Sequence, residues 1–413
     1  MKEPPPPLLK VRTPRHSSTH ITMDKRRRGS FACAFSFQVF AMTSASTPLE
    51  QKLIERIGRE GPITFRDFMQ AALYDPEFGY YNTERGKIGP EGDYFTSSNV
   101  HPAFGAVLSR SFAGMWGDSS EAMTIIEFGA GTGQLAFDVL AAMRDEHPRL
   151  FDSLTYLIVE TSPAMRDRQR EKVSVFADHI RWTELEELER APVRGIAFSN
   201  EFVDALPVHR VRYRAGSLEE SYVTSPIRSE EPGTLAEVWS KPSTDRLDEY
   251  VDRMRVKLRE DQIVEINLDV VDWLSRMTRA LASGILMTID YGDLCDSLWT
   301  PDRLRGTLRS FHNHRLIDSP LSSLGEQDIT ASVNFTALIE YGSEFGFEPV
   351  SFERQTAFLM RMGLIERIAA SYRPDETLND LKRRLAVKNL FVPGGSSDSF
   401  RVLIQGKQKL KAS

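Results

Sequence analysis

The chain has 413 residues, of which 41% are hydrophobic and 27% charged, and its formal net charge is -6. This balance is typical of a protein with a large buried core, and it lacks the basic excess that nucleic-acid binding usually requires. The two cysteines, Cys33 and Cys295, exclude a disulfide framework and a cysteine zinc site, and no apolar run approaches the ~20 residues of a membrane span.

Residues 1–41 differ in composition from the rest of the chain. They contain four consecutive prolines, a basic cluster at 25–28 and a short apolar run, with only Glu3 and Asp24 as acids. Few acids and many arginines are typical of an organellar transit peptide, and a basic patch before an apolar run also resembles a secretory signal. The prolines oppose the amphipathic helix of a transit peptide. We therefore predict a disordered extension or a mis-assigned start before Met42, and a cytoplasmic location, with the mitochondrial matrix as the alternative.

Residues 42–115 are predicted to form an N-terminal helical and loop segment. Thr47 and Pro48 are typical of a helix start, and a second helix is predicted over 64–73. Loops rich in glycine and aromatic residues follow at 74–81 and 92–98. Irregular loops of this length often cap a core, but they are also where binding surfaces lie.

The central sequence feature is an apolar strand at 125–128 that leads into Gly129, Gly131 and Gly133 and then into a helical pattern. Glycine suits a sharp strand-to-helix turn because no Cβ obstructs the backbone or an approaching ligand. A dinucleotide fingerprint would need its third glycine at Gln134. The spacing therefore disfavours a nicotinamide oxidoreductase.

A second strand at 155–159 ends in Glu160, one helix of sequence after the glycines. In a βαβ unit this acid lies at the carboxyl edge of the neighbouring strand, where it can accept hydrogen bonds from both ribose hydroxyls. The alternative is a solvated strand end. The pattern G-x-G-x-G, preceded by Glu127, is similar to the S-adenosyl-L-methionine (SAM) site of class I methyltransferases.

Further strands are predicted at 179–182, 195–200 and 284–290, and near 348–352 and 400–405. Because ligands bind outside the carboxyl ends of parallel strands, Asn200, Glu201 and Asp204 are expected at the same edge as the glycines. Residues 211–262 interrupt the alternation with a hairpin turn at 213–217, a strand and a helix, and are predicted to be an inserted substrate-side subdomain. The methyltransferase core then comprises residues 116–210 and 263–406, followed by a tail at 407–413.

Several sequence blocks together resemble the MidA-like family of SAM-dependent methyltransferases, which includes the mitochondrial complex I assembly factor. These blocks are residues 74–81, 92–97, 127–133, 200–209, 290–292 and 327–330. The resemblance covers roughly residues 47–405. It implies an α/β fold of the class I methyltransferase (Rossmann-like) type, with a mostly parallel seven-stranded sheet, an N-terminal helical segment and an inserted α+β subdomain.

The resemblance also implies a cofactor and a substrate class. The cofactor is SAM, and its predicted ligands are Asp93, Glu127, Gly129, Gly131, Gly133, Glu160 and Asn200. Mitochondrial members of the family are protein-arginine methyltransferases that act on a complex I subunit. The predicted partner is therefore a protein substrate, with such a subunit as one candidate. No nucleic acid and no membrane insertion are predicted, and the chain is a candidate homodimer.

Three residues are candidates for catalysis. Methyl transfer needs mainly alignment, but a protonated guanidinium acceptor also needs carboxylates to grip it. Glu201 and Asp204 are candidates for such a pair or for acids at the start of a helix that Asn200 caps, and the two roles are compatible. His209 is a candidate base, or else a structural histidine. His312 and His314 alternate as on a strand, but no third ligand is near, so no metal is predicted.

Two alternatives to the arginine methyltransferase remain. A non-catalytic assembly factor would bind SAM only to order a surface for a client protein. A small-molecule methyltransferase would need a closed apolar pocket rather than an open acidic groove. Amide variants at Glu201 and Asp204 discriminate between the first alternative and an enzyme. They should abolish methyl transfer if the chain is an enzyme, and they should leave client binding intact if it is an assembly factor.

Overall fold

The structure is a computed structural model, and it describes residues 46–83, 101–117, 119–225, 235–312, 315–317, 319–370 and 396–408. The predicted extension at 1–41 lies outside the described residues. The helices are α1 (Pro48–Glu60), α2 (Phe65–Tyr74), α3 (Ala103–Trp116), α4 (Gln134–Glu146), α5 (Pro148–Phe151), α6 (Pro163–Lys172), α7 (Leu185–Arg190), α8 (Arg246–Met254), α9 (Leu268–Ala280), α10 (Cys295–Leu298), α11 (Phe335–Glu344), α12 (Gln355–Arg361) and α13 (Leu364–Ala370).

The strands fall into a central sheet and two smaller sheets. They are β1 (Ile63–Thr64), β2 (Thr124–Phe128), β3 (Thr155–Val159), β4 (Ile180–Thr183), β5 (Val193–Asn200), β6 (His209–Arg214), β7 (Ser217–Thr224), β8 (Ala236–Ser240), β9 (Ile263–Ile266), β10 (Leu281–Asp293), β11 (Arg309–His312), β12 (Arg315–Ile317), β13 (Asp328–Thr330), β14 (Val333–Asn334), β15 (Glu348–Arg354) and β16 (Phe400–Lys407).

The central sheet has the order β15-β16-β10-β5-β2-β3-β4, and the short β14 pairs with the end of β10. Strands β10, β5, β2, β3 and β4 run parallel to one another, whereas β16 runs antiparallel to both β10 and β15. The predicted mostly parallel seven-stranded sheet is confirmed, and β14 extends it by two residues of pairing. Its carboxyl edge therefore collects the ends of β2, β3, β4 and β5.

Both faces of the central sheet are covered, which explains why its strands are apolar on both sides. Along β2 the side chains alternate between two cores: Ile125 packs in a cluster with Phe112 and Val139 of α3 and α4. Ile126 packs in the opposite cluster with Leu274 of α9. Packing on both faces fixes the position of β2, and therefore the position of the glycine turn that follows it.

A second, antiparallel sheet has the order β1-β7-β6-β9, with β8 paired to β7. The hairpin predicted at 213–217 is confirmed, because β6 and β7 pair and the turn residues Ala215 and Gly216 have φ values of 50° and 89°. The sheet extends beyond the predicted limits of 211–262, since β6 pairs with β9. Strand β1 joins it from the N-terminal segment, where α1 and α2 pack against it.

Candidate active site

A cavity of about 330 Å³ lies at the carboxyl ends of β2, β3, β4 and β5. Four successive strand ends contribute to its lining, as expected for an open α/β sheet. Residues from outside these strand ends complete the lining: Tyr74, Tyr80, Tyr81, Asn82, Trp273, Arg276 and Asp328. The predicted residues Glu127, Gly129, Gly131, Glu160, Asn200, Glu201 and Asp204 all line it.

The three glycines of the turn have left-handed backbone conformations, with φ values of 68° at Gly129, 52° at Gly131 and 80° at Gly133. Side chains are strained at such angles, so glycine is required by the turn itself. A Cβ on Gly129 would also lie 3.0 Å from Cδ2 of Phe202. Gly129 and Gly131 line the cavity, whereas Gly133 lies outside the lining and is the N-cap residue of α4.

Glu127 is 2% exposed, and its Oε2 accepts a hydrogen bond of 2.7 Å from the hydroxyl of Tyr156 on β3. Burial raises the pKa of Glu127 to about 7, against the opposing effect of the Tyr156 hydrogen bond. The carboxyl group therefore changes charge near neutral pH in the cavity without a ligand. A carboxyl group held in this way is suited to binding a cationic group.

Glu160 follows β3 and lines the same cavity. Its Oε1 accepts from the backbone N–H of Ser162 at 2.9 Å, and its Oε2 accepts from Nε2 of Gln169 at 3.1 Å. Burial raises the pKa of Glu160 above its ordinary value, and these hydrogen bonds oppose the rise. Both oxygens are thus oriented, and each retains lone pairs for ribose hydroxyls.

Residues 201–206 form a turn after β5 rather than a helix. The alternative in which Asn200 caps a helix is therefore wrong. Glu201 adopts a left-handed φ of 54°, which breaks the helical path, and its Oε1 accepts a hydrogen bond of 3.1 Å from Nδ2 of Asn200. The side-chain oxygen Oδ1 of Asn200 is buried with no hydrogen-bond partner among the described residues.

Asp290 at the end of β10 holds this turn in place. Its Oδ2 accepts from the backbone N–H groups of Val203 at 3.0 Å and Asp204 at 3.3 Å. Asp290 can support this loop because the adjacent residue of β10, Ile289, pairs with Asn200 at the carboxyl end of β5. Burial and the nearby carboxyl group of Glu201 together raise the pKa of Asp290 to about 8.

Asp204 is 4% exposed and lines the cavity, and its Oδ1 is buried with no hydrogen-bond partner among the described residues. Burial raises the pKa of Asp204 well above its ordinary value, as do the nearby carboxyl groups of Asp290, Asp328 and Glu201. An unsatisfied buried carboxyl oxygen costs free energy unless a ligand supplies a donor. This oxygen therefore marks where a hydrogen-bond donor would bind.

Three cavity residues were missed as site candidates in the sequence. Asp328 on β13 accepts a hydrogen bond of 2.9 Å from the hydroxyl of Tyr81. The hydroxyl of Tyr74 donates to the carbonyl oxygen of Ala205 at 2.9 Å. The sequence did contain a signal for these residues, because they lie in the blocks 74–81 and 327–330 that carry the family resemblance.

Within the described part of the chain, two predicted site residues, Gly133 and His209, do not line the cavity. His209 lies on β6, where its Nδ1 is 2.7 Å from Oε1 of Glu220, and it is not among the lining residues. The pairing matches the structural alternative for this histidine. Asp93 lies outside the described residues, so its predicted contact with the cofactor stays a prediction.

The described residues contain no group of three His, Cys, Asp or Glu that could hold a metal ion. His312 is the last residue of β11 and pairs with Arg315 of β12, and its predicted alternation with His314 on one strand stays a prediction. His314 itself lies outside the described residues. No helix within the described part of the chain is long and apolar enough to cross a membrane.

The lining residues fit SAM by their chemistry. Gly129 and Gly131 bring backbone without a side chain to the cavity, Glu160 presents an oriented carboxyl group, and Asn200 has a buried oxygen without a donor. A sheet of this order, with a glycine turn after one strand and an acid after the next, defines a class I methyltransferase.

Comparisons with known proteins identify the family. Residues 107–352, more than half of the chain, match a family model described as "Putative S-adenosyl-L-methionine-dependent methyltransferase". The chain belongs to this family of SAM-dependent methyltransferases, and the resemblance seen in the sequence blocks is confirmed. SAM is accordingly its cofactor.

Two similar proteins carry the name "Protein arginine methyltransferase NDUFAF7, mitochondrial". The protein from Rattus norvegicus is 29% identical over 352 residues, which cover 78% of this chain and 76% of the rat protein. The protein from Homo sapiens is 28% identical over 348 residues, which cover 78% of this chain and 75% of the human protein. The similarity therefore spans most of both molecules.

A crystal structure from Burkholderia thailandensis with S-adenosyl-homocysteine bound is similar to this chain in fold as well as sequence. It has a TM-score of 0.78 and 27% identity, and the match covers 88% of this chain and 93% of that chain. A second crystal structure from the same organism has a TM-score of 0.75 and 28% identity, with 88% and 92% covered.

The buried Glu127 predicts a pH dependence of stability. Its pKa of about 7 in the folded chain lies above the ordinary 4.5. The folded state thus holds the proton more tightly, and the resulting stabilisation, complete below pH 4.5, is lost as pH rises through 7. We expect the free energy of unfolding of the parent, relative to Glu127→Gln, to fall by about 2 kcal/mol from pH 5 to pH 7.

Urea unfolding of both proteins at the two pH values measures this difference. The conservative control is Glu187→Gln, at an exposed position on α7 outside the cavity lining. A parent and Glu127→Gln variant whose stabilities keep a constant difference would contradict the prediction.

Proposed function

We propose that this chain transfers the methyl group of SAM to a guanidinium nitrogen of an arginine in a protein. The observation that carries the proposal is the acidity of the cavity. Its described lining contains seven carboxyl groups, those of Glu127, Glu160, Glu184, Glu186, Glu201, Asp204 and Asp328. The lining holds one guanidinium, that of Arg276, which is already paired with Glu186 and Glu189. Such a cavity favours a cationic acceptor over a neutral or anionic one.

The carboxyl groups near β5 are the proposed substrate ligands. A guanidinium stays protonated at ordinary pH and presents pairs of N–H groups that match carboxylates. Asp204 would accept one such N–H at Oδ1, the oxygen that has no partner in the described residues. The arriving cation would also lower the pKa of Asp204, so that it binds as a carboxylate. Glu201 and Asp328 face the same part of the cavity, since both raise the pKa of Asp204.

Most of the rate acceleration in this mechanism comes from positioning the acceptor nitrogen against the methyl group. Bound SAM provides a methyl group on a cationic sulfur, so the acceptor nitrogen needs alignment and loses one proton after transfer. Asp204 and Glu201 would align the guanidinium and concentrate its charge away from the reacting nitrogen. The hydroxyl groups of Tyr74 and Tyr81 orient this end of the cavity through Ala205 and Asp328.

The relatives support the substrate class and a mitochondrial place of action. Both named relatives are called protein arginine methyltransferases and mitochondrial. Their names favour the mitochondrial alternative over the predicted cytoplasm. A complex I subunit as the substrate protein and a homodimeric state stay predictions.

Methyl transfer to proteins tests the proposal directly. The full chain would be incubated with SAM labelled in its methyl group and with proteins from cells that lack the gene, and methylated residues would be identified by mass spectrometry. We expect label on arginine, and competition by an arginine peptide but not by the matched lysine peptide. Label confined to lysine or to small molecules would contradict the proposed substrate.

A further inference from the structure

Gln169 on α6 connects three parts of the cofactor cavity although it is itself completely buried. Its Nε2 donates to the carbonyl oxygen of Gly131 at 2.8 Å and to Oε2 of Glu160 at 3.1 Å. Its Oε1 accepts from Nε1 of Trp182 on β4 at 2.8 Å. One amide group thus ties the glycine turn to the acid after β3 and to the neighbouring strand.

The orientation of this amide follows from the chemistry of its partners. The indole N–H of Trp182 can only donate, so it must face the oxygen Oε1 of Gln169. The nitrogen Nε2 then faces two acceptors, the carbonyl of Gly131 and the carboxyl of Glu160, and each takes one hydrogen. A flipped amide would set oxygen against oxygen at both contacts.

The packing of Gln169 also explains why the third glycine is needed. A Cβ on Gly133 would lie 3.2 Å from Cα and 3.3 Å from Cγ of Gln169. Gly133 lies outside the cavity lining, but its missing side chain lets α6 approach the turn closely enough for the amide of Gln169 to reach Gly131.

We propose that Gln169 is a positioning residue that sets the carboxyl group of Glu160 for the ribose of the cofactor. The proposal rests on the assignment of Glu160 to the ribose hydroxyls. Ser162 holds one oxygen of Glu160 and Gln169 holds the other, so the carboxyl plane is fixed before the cofactor arrives. Preorganised acceptors of this kind strengthen binding because the side chain loses little conformational entropy when the ligand binds.

The test compares two ligands that differ at the ribose, S-adenosyl-homocysteine and its 2′-deoxy counterpart, by titration calorimetry on the full chain. We expect the parent to bind the natural ligand at least about 10-fold more tightly, as for a hydrogen bond to a charged group. In Gln169→Met, which keeps the length of the side chain but removes the amide, this preference should fall below about 3-fold.

A second variant keeps the proposal testable if Gln169→Met fails to fold. Trp182→Phe keeps the aromatic ring but removes the N–H that orients Gln169, so it should weaken the ribose preference in the same direction. Arg170→Ala, on the same helix and at the outer face of Trp182, is the matched control and should keep the parental preference.

If Gln169→Met lost the same factor of affinity for both ligands and kept the parental ribose preference, the proposal would be overturned and Gln169 would be a packing residue. So would a parental preference that survives in both variants. A parent that binds the natural ligand without any ribose preference would overturn the role of Glu160 and that of Gln169 together. A parent that binds neither ligand would instead refute the cofactor site itself.

Discussion

Asp204→Asn is expected to lower kcat/KM for arginine methylation by about 100- to 1,000-fold, the range seen when one preorganised electrostatic group is removed. The amide keeps the shape of the side chain but cannot carry the negative charge that the guanidinium requires. The buried Oδ1 of Asp204 has no hydrogen-bond partner among the described residues, so it is free to accept a hydrogen bond from the guanidinium. Methyl transfer to protein arginine, measured at a saturating SAM concentration, gives the effect.

The same variant separates an enzyme from a non-catalytic assembly factor. Binding of S-adenosyl-homocysteine should change by less than about 3-fold in Asp204→Asn, because Glu160 and the glycine turn are untouched. Asp152→Asn, at an exposed position after α5, is the control and should keep full activity. An Asp204→Asn variant that methylates arginine at the parental rate would rule out the proposed role of this carboxylate.

Gly131→Val is expected to abolish measurable SAM binding, a loss of at least about 100-fold in affinity. Gly131 has a φ of 52°, a conformation that costs a β-branched residue of the order of 1–3 kcal/mol. Its position in the cavity lining means that the valine side chain would also occupy cofactor space. Titration calorimetry of SAM into the parent and the variant measures both affinities.

Backbone strain alone is controlled by Gly117→Val. Gly117 follows α3 with a φ of 64°, and a Cβ there meets no atom within 4 Å. Gly117→Val should lose about as much folding stability as Gly131→Val, but it should retain the parental affinity for SAM. Equal loss of affinity in the two variants would show that strain, rather than occupied space, had weakened binding.

The cofactor side of the site could be predicted because its determinants are local in sequence. The glycine turn lies directly after β2 and Glu160 directly after β3, and parallel strands place both at one edge. Short-range rules of turn chemistry and strand polarity therefore suffice for Gly129, Gly131 and Glu160.

The substrate side could be predicted only in part, since its contacts join distant residues. Asp328 reaches Tyr81 across 247 positions, a distance that residue spacing does not encode. The helix considered after β5 fails because Asp290 takes the N–H groups of Val203 and Asp204, which would otherwise bond within a helix turn. The choice between a base and a structural histidine at His209 likewise depended on a partner on another strand, because Glu220 lies on the next strand of the hairpin.

The position of β16 has a consequence for synthesis of the chain. This strand spans Phe400–Lys407, yet it lies inside the sheet between β10 and β15. While the ribosome is still adding the preceding residues, β10 can pair with β5 but its other edge has no partner. An unpaired apolar strand edge is a site of aggregation. The nascent chain therefore exposes this edge until β16 emerges, and chaperone binding during synthesis should concentrate there.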